Sequence, residues 1–140
     1  MPTVLITGTS TGFGLVTTVE LAKRGWNVIA TMRDLGKRAG LDNAVATANV
    51  QGLVSVEQLD VTDPKSIDAA NARLDAQGRP LDAVVHNAGV AVGGAFEDLS
   101  EANIRRVMEV NYFGVLALTQ KLLRHGGELF RRAGPDAEAS

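Results

Sequence analysis

Between an apolar run, Val4-Leu5-Ile6, and the helically spaced apolar residues Leu15, Val16, Val19 and Ala22, the chain reads Thr7-Gly8-Thr9-Ser10-Thr11-Gly12-Phe13-Gly14. A continuous apolar run closed by Thr-Gly is the pattern of a strand buried on both faces of a parallel sheet. A glycine-rich turn from such a strand into a helix bends the backbone sharply and leaves the first helical amides without intrahelical partners. Those amides attract phosphate. In this reading Gly8 permits the tight turn, Gly12 removes a side chain where a pyrophosphate would approach, and Gly14 lets the helix pack close to the strand. Thr9, Ser10, Thr11 and Phe13 complete the phosphate-binding segment. A tight turn without a ligand is the competing reading, but a strand before it and a helix after it favour a dinucleotide.

The rest of the chain repeats this alternation. Gly25 stands where the first helix needs a left-handed terminating residue. Val28 to Met32 and Leu53 to Leu59 read as the second and third strands, with Leu35, Ala39 and Ala44 to Ala48 suggesting a helix between them that Gly36 and Gly40 weaken. Asp63-Pro64 has the form of a cap followed by proline at the first helical position, and Ile67, Ala70 and Leu74 then line one face until Gly78-Arg79-Pro80. Leu81 to His86 is a fourth strand, and Ala88 to Phe96 a glycine-containing loop. Ser100 caps one long helix carrying Ile104, Val107, Met108, Leu116, Leu122 and Leu123, ended or kinked at Gly126-Gly127. Strands alternating with helices imply right-handed crossovers and an α/β fold, a Rossmann-like doubly wound parallel sheet of order 3-2-1-4. The chain's 140 residues suit one domain, with residues 1–127 forming the dinucleotide-binding unit and residues 128–140 a frayed or disordered tail.

Several classes of function lose support. A net charge of -2 gives no electrostatic case for nucleic acid. With no cysteine, and with His86 and His125 far apart, no metal site is expected. No membrane segment or leader is expected either, which makes the cytoplasm the default compartment.

The glycine loop resembles the Thr-Gly-x-x-x-Gly-x-Gly signature of the short-chain dehydrogenase/reductase family, and other residues agree in order. Asp60-Val61 after the third strand is similar to the family's adenine-contacting acidic element. Asn87-Ala88-Gly89 is similar to its Asn-Asn-Ala-Gly element, with His86 in place of the first asparagine. Asn111, within Val110-Asn111-Tyr112-Phe113-Gly114, matches the family's helical asparagine, which supports the catalytic lysine through water. The resemblance covers about residues 3 to 125 and implies NAD(P)-dependent oxidation or reduction of an alcohol or ketone.

Each of these residues also has a plainer reading. Asp60 could simply cap a turn. His86 reads as a satisfied core histidine, Tyr112 and Phe113 as core, and Asn111 as a residue that kinks its helix or lines a site. Cofactor choice turns on Met32-Arg33-Asp34. A carboxylate there accepts the ribose hydroxyls of NAD, whereas an arginine pairs with the 2'-phosphate of NADP. Asp34 has the spacing that suits NAD. Aligned on Gly25 and the strand, however, Arg33 takes the place used by many NADP-dependent members, so NADP is expected, with NAD as the alternative and a solvated Arg33–Asp34 pair as the plain reading.

The family's reaction further requires a serine on the next strand and a Tyr-x-x-x-Lys pair. The one tyrosine here, Tyr112, is followed four places on by Leu116. The expectation is therefore the N-terminal, cofactor-binding portion of an oxidoreductase, inactive by itself, with Asn111 as the one supporting catalytic residue. A non-catalytic dinucleotide-binding module, or a subunit completed by a partner, is the alternative. The open fourth strand and the long helix suggest self-association.

Overall fold

The computed structural model describes residues 1–78 and 80–125. Its frame is set by β1 (Thr3–Thr7), whose Val4, Leu5 and Ile6 are each no more than 1% exposed. Such a strand must be covered on both faces and paired on both edges. β2 (Asn27–Met32) pairs with one edge and β4 (Ala83–Val85) with the other, both parallel, while β3 (Val54–Gln58) adds outside β2. The order is 3-2-1-4, as the sequence implied.

Successive residues of β1 and β2 point to opposite faces and divide the core in two. Val4, Ile6, Val28 and Ala30 pack with Val19 and Ala22 of α1 (Gly12–Lys23) and with Leu41 and Val45 of α2 (Ala39–Thr47). On the other face, Leu5 and Ile29 pack with Ile67, Ala70 and Leu74 of α3 (Pro64–Gln77) and with Leu118 and Leu122 of α5 (Val115–His125). Both faces of the sheet are therefore helix-covered.

Local signals set most element ends. Gly25 has φ +85° just past α1, and Gly78 has φ +58° just past α3. Asp63 caps α3 by accepting the Lys65 N–H at 3.0 Å, and Ser100 caps α4 (Glu101–Met108) by accepting the Asn103 N–H at 3.2 Å.

Four expectations change. The weakened helix after β2 is divided, a 3-10 turn at Leu35–Lys37 preceding α2. The third strand begins at Val54 because Gln51–Leu53 forms another 3-10 turn. The fourth strand is shorter than Leu81 to His86. Before it, the Asp82 carboxylate accepts the Thr3 N–H at 2.7 Å; after it, the Asn87 N–H goes to the Thr7 hydroxyl at 3.0 Å and not to a ladder carbonyl. The long helix is α4 and α5 joined by a π-helical segment, Glu109–Gly114. On that segment Tyr112 and Phe113 are each 51% exposed and meet edge to face, so neither belongs to the core. The expected helix end at Gly126-Gly127, Arg79 and the expected tail at residues 128–140 lie outside the described residues.

Candidate functional site

At the carboxyl end of the sheet, Thr7 closes β1 with its side chain buried. Its Oγ1 accepts two backbone N–H groups, from Asn87 at 3.0 Å and from Ala88 at 2.9 Å. The Asn87 side-chain amide in turn donates to the carbonyls of Thr7 at 3.0 Å and Gly8 at 2.9 Å. These four bonds draw the segment after β4 against the glycine loop. The approach is so close that a Cβ on Gly8, which has φ +71°, would lie 2.8 Å from the Ala88 Cα.

The loop's other residues divide into structural and open positions. Thr9 is fully buried, its N–H and Oγ1 both donating to the Thr31 carbonyl, at 3.0 and 3.1 Å. It ties the loop to β2 and does not face the cleft. A Cβ on Gly14 would overlap the Gly8 carbonyl oxygen and come within 2.5 Å of Asn87 Nδ2. Its missing side chain thus admits the loop and Asn87, whereas the sequence pattern implies that it admits the strand. Gly12 has φ +60°, and a Cβ added there would meet no atom within 4 Å, so it leaves open space at the start of α1. Phe13 is 87% exposed.

The loop, Arg33 and the residues after β3 and β4 enclose a cleft of about 340 Å³. Of the residues expected from sequence, Gly8, Ser10, Thr11, Arg33, Asp60, Val61, Asn87, Ala88 and Gly89 line it, whereas Thr9, Gly12, Phe13 and Gly14 do not. Asp60 closes a turn and also lines the cleft. Its Oδ1 accepts from the Thr62 N–H at 2.9 Å and the Thr62 hydroxyl at 2.7 Å, and the residue still forms part of the cleft wall. Asp34 is not in that wall; its Oδ1 accepts the Gly36 N–H at 2.9 Å and caps the 3-10 turn.

Asn111 lies in the π-helical segment and acts as a clamp. Its Oδ1 accepts the Val90 N–H at 2.9 Å and its Nδ2 donates to the Val90 carbonyl at 2.8 Å. The amide reproduces both halves of a backbone pairing and fixes the loop that carries Gly89. Three residues later Gly114 lets this segment seat against the cleft, since a Cβ there would lie 2.8 Å from Val61 Cγ2.

His86 is exposed, not a core residue, but it is satisfied: Nε2 lies 2.9 Å from Thr119 Oγ1. The Thr119 hydroxyl donates to the Val115 carbonyl at 2.7 Å, so the proton shared with the ring is carried by Nε2. Desolvation holds the imidazole below its ordinary pKa and favours the neutral ring.

Sequence reasoning missed four contributors. Thr7 opens the glycine signature in the sequence but is given no role there, although a hydroxyl directly after the apolar run Val4-Leu5-Ile6 is itself a signal. Leu59, Val90 and Val110 also line the cleft. They are apolar neighbours of motif residues and look like core. Among the described residues no cluster of side chains could hold a metal ion, and no helix is long and apolar enough to cross a membrane.

Gly12 leaves open space at the first turn of α1, where unpartnered helix N-terminal amides can receive a phosphate. Comparison with known proteins agrees. A family model described as short chain dehydrogenase matches residues 2–131. Bovine (Bos taurus) retinol dehydrogenase 8 is 42% identical over 124 residues, covering 86% of this chain and 39% of that protein. An actinorhodin polyketide ketoreductase variant solved with NADPH superposes with a TM-score of 0.83 at 30% identity, covering 95% of this chain and 50% of that one. A 3-ketoacyl-(acyl-carrier-protein) reductase from Brucella melitensis, complexed with NADH, gives 0.80 at 26% identity, covering 94% and 52%. The chain thus spans about half the length of the solved chains, and less of the retinol dehydrogenase.

Proposed function

The chain belongs to the short-chain dehydrogenase family, and from that premise we propose that it is the cofactor-binding portion of an NADP-dependent oxidoreductase acting on an alcohol or ketone. The observation that carries this reading is the meeting of the glycine loop, Arg33, Asp60 and Asn87 in one cleft, with the loop and Asn87 joined by the Thr7 and Asn87 hydrogen bonds. Backbone N–H groups at the start of α1 would hold the pyrophosphate. Arg33 would pair with the 2'-phosphate and Asp60 would face the adenine. Support for NADP over NAD comes from the two neighbours at the end of β2: Arg33 lines the cleft, while the competing carboxylate of Asp34 is turned to the Gly36 N–H. When bound, such a cofactor supplies the hydride.

The chain's own residues bind and orient. Asn111 fixes the loop beside the cleft, a positioning role. No Tyr-x-x-x-Lys occurs in the 140 residues, so the chain by itself is expected to bind without turnover. That combination also supports the alternative of a dinucleotide-binding module or a subunit completed by a partner. The exposed Tyr112, Phe113, Leu116 and Leu123, together with β4, which pairs only with β1 among the described strands, support self-association. Light scattering at micromolar concentration tests it, and a clean monomer counts against it. A cytoplasmic location is part of the same proposal.

The direct test is a thermal-shift and fluorescence titration with NADPH and NADH. NADPH should raise the Tm more than NADH, and Arg33→Met should remove that difference. If neither dinucleotide moves the Tm at millimolar concentration, the reading fails.

A further inference from the structure

Cofactor choice in the reading above rests on one contrast: Arg33 stands in the wall of the cleft and Asp34 is turned away from it. The two residues share a peptide group, made of the Arg33 carbonyl and the Asp34 N–H, so the orientation of that planar unit bears on both side chains at once. The sheet ladder does not hold it. Pairing of β2 with β3 ends at Met32 opposite Gln58, and the Met32 carbonyl takes the Leu59 N–H at 3.0 Å. The Arg33 carbonyl lies past that point, and its partner is a side chain: Gln58 Nε2 donates to it at 3.2 Å. Gln58 is itself anchored from α3. Arg73 Nη2 donates to the Gln58 carbonyl at 2.8 Å, while Arg73 Nε donates to Glu57 Oε2 at 2.6 Å, a fork that fixes two consecutive residues at the end of β3.

The Arg33 guanidinium has a competing destination. Arg33 also lines a second hollow of about 340 Å³ against α3, shared with Gln58, Asp60, Asp63 and Arg73. Among the described residues Arg33 joins no ion pair, so nothing at the tip of its side chain commits it to the cleft. Asp63 lines the hollow and not the cleft, and its carboxylate would draw an unrestrained arginine away from a cofactor phosphate. Asp34 has its own restraint in the bond to the Gly36 N–H. What remains to direct Arg33 is its backbone. We propose that Gln58 is a positioning residue for cofactor selection: by holding the Arg33 carbonyl it starts the arginine side chain towards the cleft, and so sets the preference for a dinucleotide that carries a 2'-phosphate. The proposal rests on the dinucleotide reading above and extends it to a residue outside the cleft wall.

Gln58→Met nearly keeps the length of the side chain and removes the donor. NADPH and NADH are titrated against the full chain and its variants by cofactor fluorescence, with urea midpoints read from Trp26 to show that each variant is folded. The Gln58 bond is exposed and water competes for it, so its loss should weaken NADPH binding by about threefold to tenfold and change NADH binding by less than about twofold. A merely structural role would move both dinucleotides alike. In an Arg33→Met background the same substitution should leave NADPH affinity within about twofold, since the group that Gln58 positions is gone. Three results overturn the proposal: equal weakening of both dinucleotides, no change in either, or an NADPH loss that persists undiminished in the Arg33→Met background. If Arg33→Met abolishes the NADPH preference and Gln58→Met leaves it intact, this inference alone fails. If the unaltered chain binds NADPH and NADH alike, Arg33 selects nothing, and the NADP reading falls together with the role of Gln58.

Discussion

Gly8 and Gly12 both have left-handed backbones, yet substitution by alanine should affect them in opposite ways. At Gly8 (φ +71°) the new Cβ would lie 2.8 Å from Ala88 Cα and 3.0 Å from Ala88 N, both backbone atoms held by the Thr7 and Asn87 bonds. Left-handed strain of about 1–2 kcal/mol adds to an overpacking cost of about 1–3 kcal/mol, giving roughly 2–5 kcal/mol for Gly8→Ala. At Gly12 (φ +60°) nothing lies within 4 Å, so only the strain of about 1–2 kcal/mol applies. In the proposed reading the new methyl would instead occupy space left for the cofactor. Urea denaturation followed by the fluorescence of Trp26, the sole tryptophan and packed against the core, measures the first quantity. Titration with NADPH measures the second. Gly12→Ala should keep most of the stability and weaken NADPH binding by more than about tenfold, because the close approach of backbone to pyrophosphate is lost. If Gly12→Ala costs as much stability as Gly8→Ala, or binds NADPH like the unaltered chain, this account of the loop is wrong.

Three further outcomes are expected. Asn111→Ala removes both bonds to Val90 and should cost about 1–3 kcal/mol in chemical denaturation, while Asn111→Asp sets an acceptor against the Val90 carbonyl and should cost at least as much at neutral pH. For His86, whose folded pKa lies below the ordinary 6.5, the unfolded chain takes up a proton first as pH falls. Its contribution to stability is therefore complete above that value and is lost as pH falls through the folded pKa; His86→Asn should flatten the difference between urea curves at about pH 7.5 and about pH 5.5. Asp63→Ala should cost about 1 kcal/mol by removing the acceptor for the Lys65 N–H, visible as a lower urea midpoint with an unchanged slope.

What could be read from sequence was whatever a single local pattern determines. The apolar run of β1, the left-handed glycines after α1 and α3 and the Asp63 and Ser100 caps each express a short-range rule, and the parallel order follows from alternation and handedness. The misreadings arose where partners distant in sequence decide the outcome. β4 is short because Asp82 and Asn87 give their polar groups to Thr3 and Thr7. Thr9 is structural because Thr31 lies across the sheet from it. Gly14 carries the glycine signature, but the atoms that exclude a side chain there belong to Gly8 and Asn87, the latter 73 positions away by its number. Tyr112 and Phe113 looked like core as large apolar side chains in a helical run; both lie exposed on the π-helical segment.

Thr7 Oγ1 bridges residues 80 and 81 positions apart, and this span dictates the order in which the site can come into being. The glycine turn is complete within the first fourteen residues, but its floor does not exist until β4 has docked along β1. A nascent chain carrying only β1 to α3 would display the signature loop and have no closed cradle behind it. Closing so long a loop is a late, entropically costly contact. Cofactor affinity should therefore be absent from any chain that ends before Ala88, however complete its glycine signature.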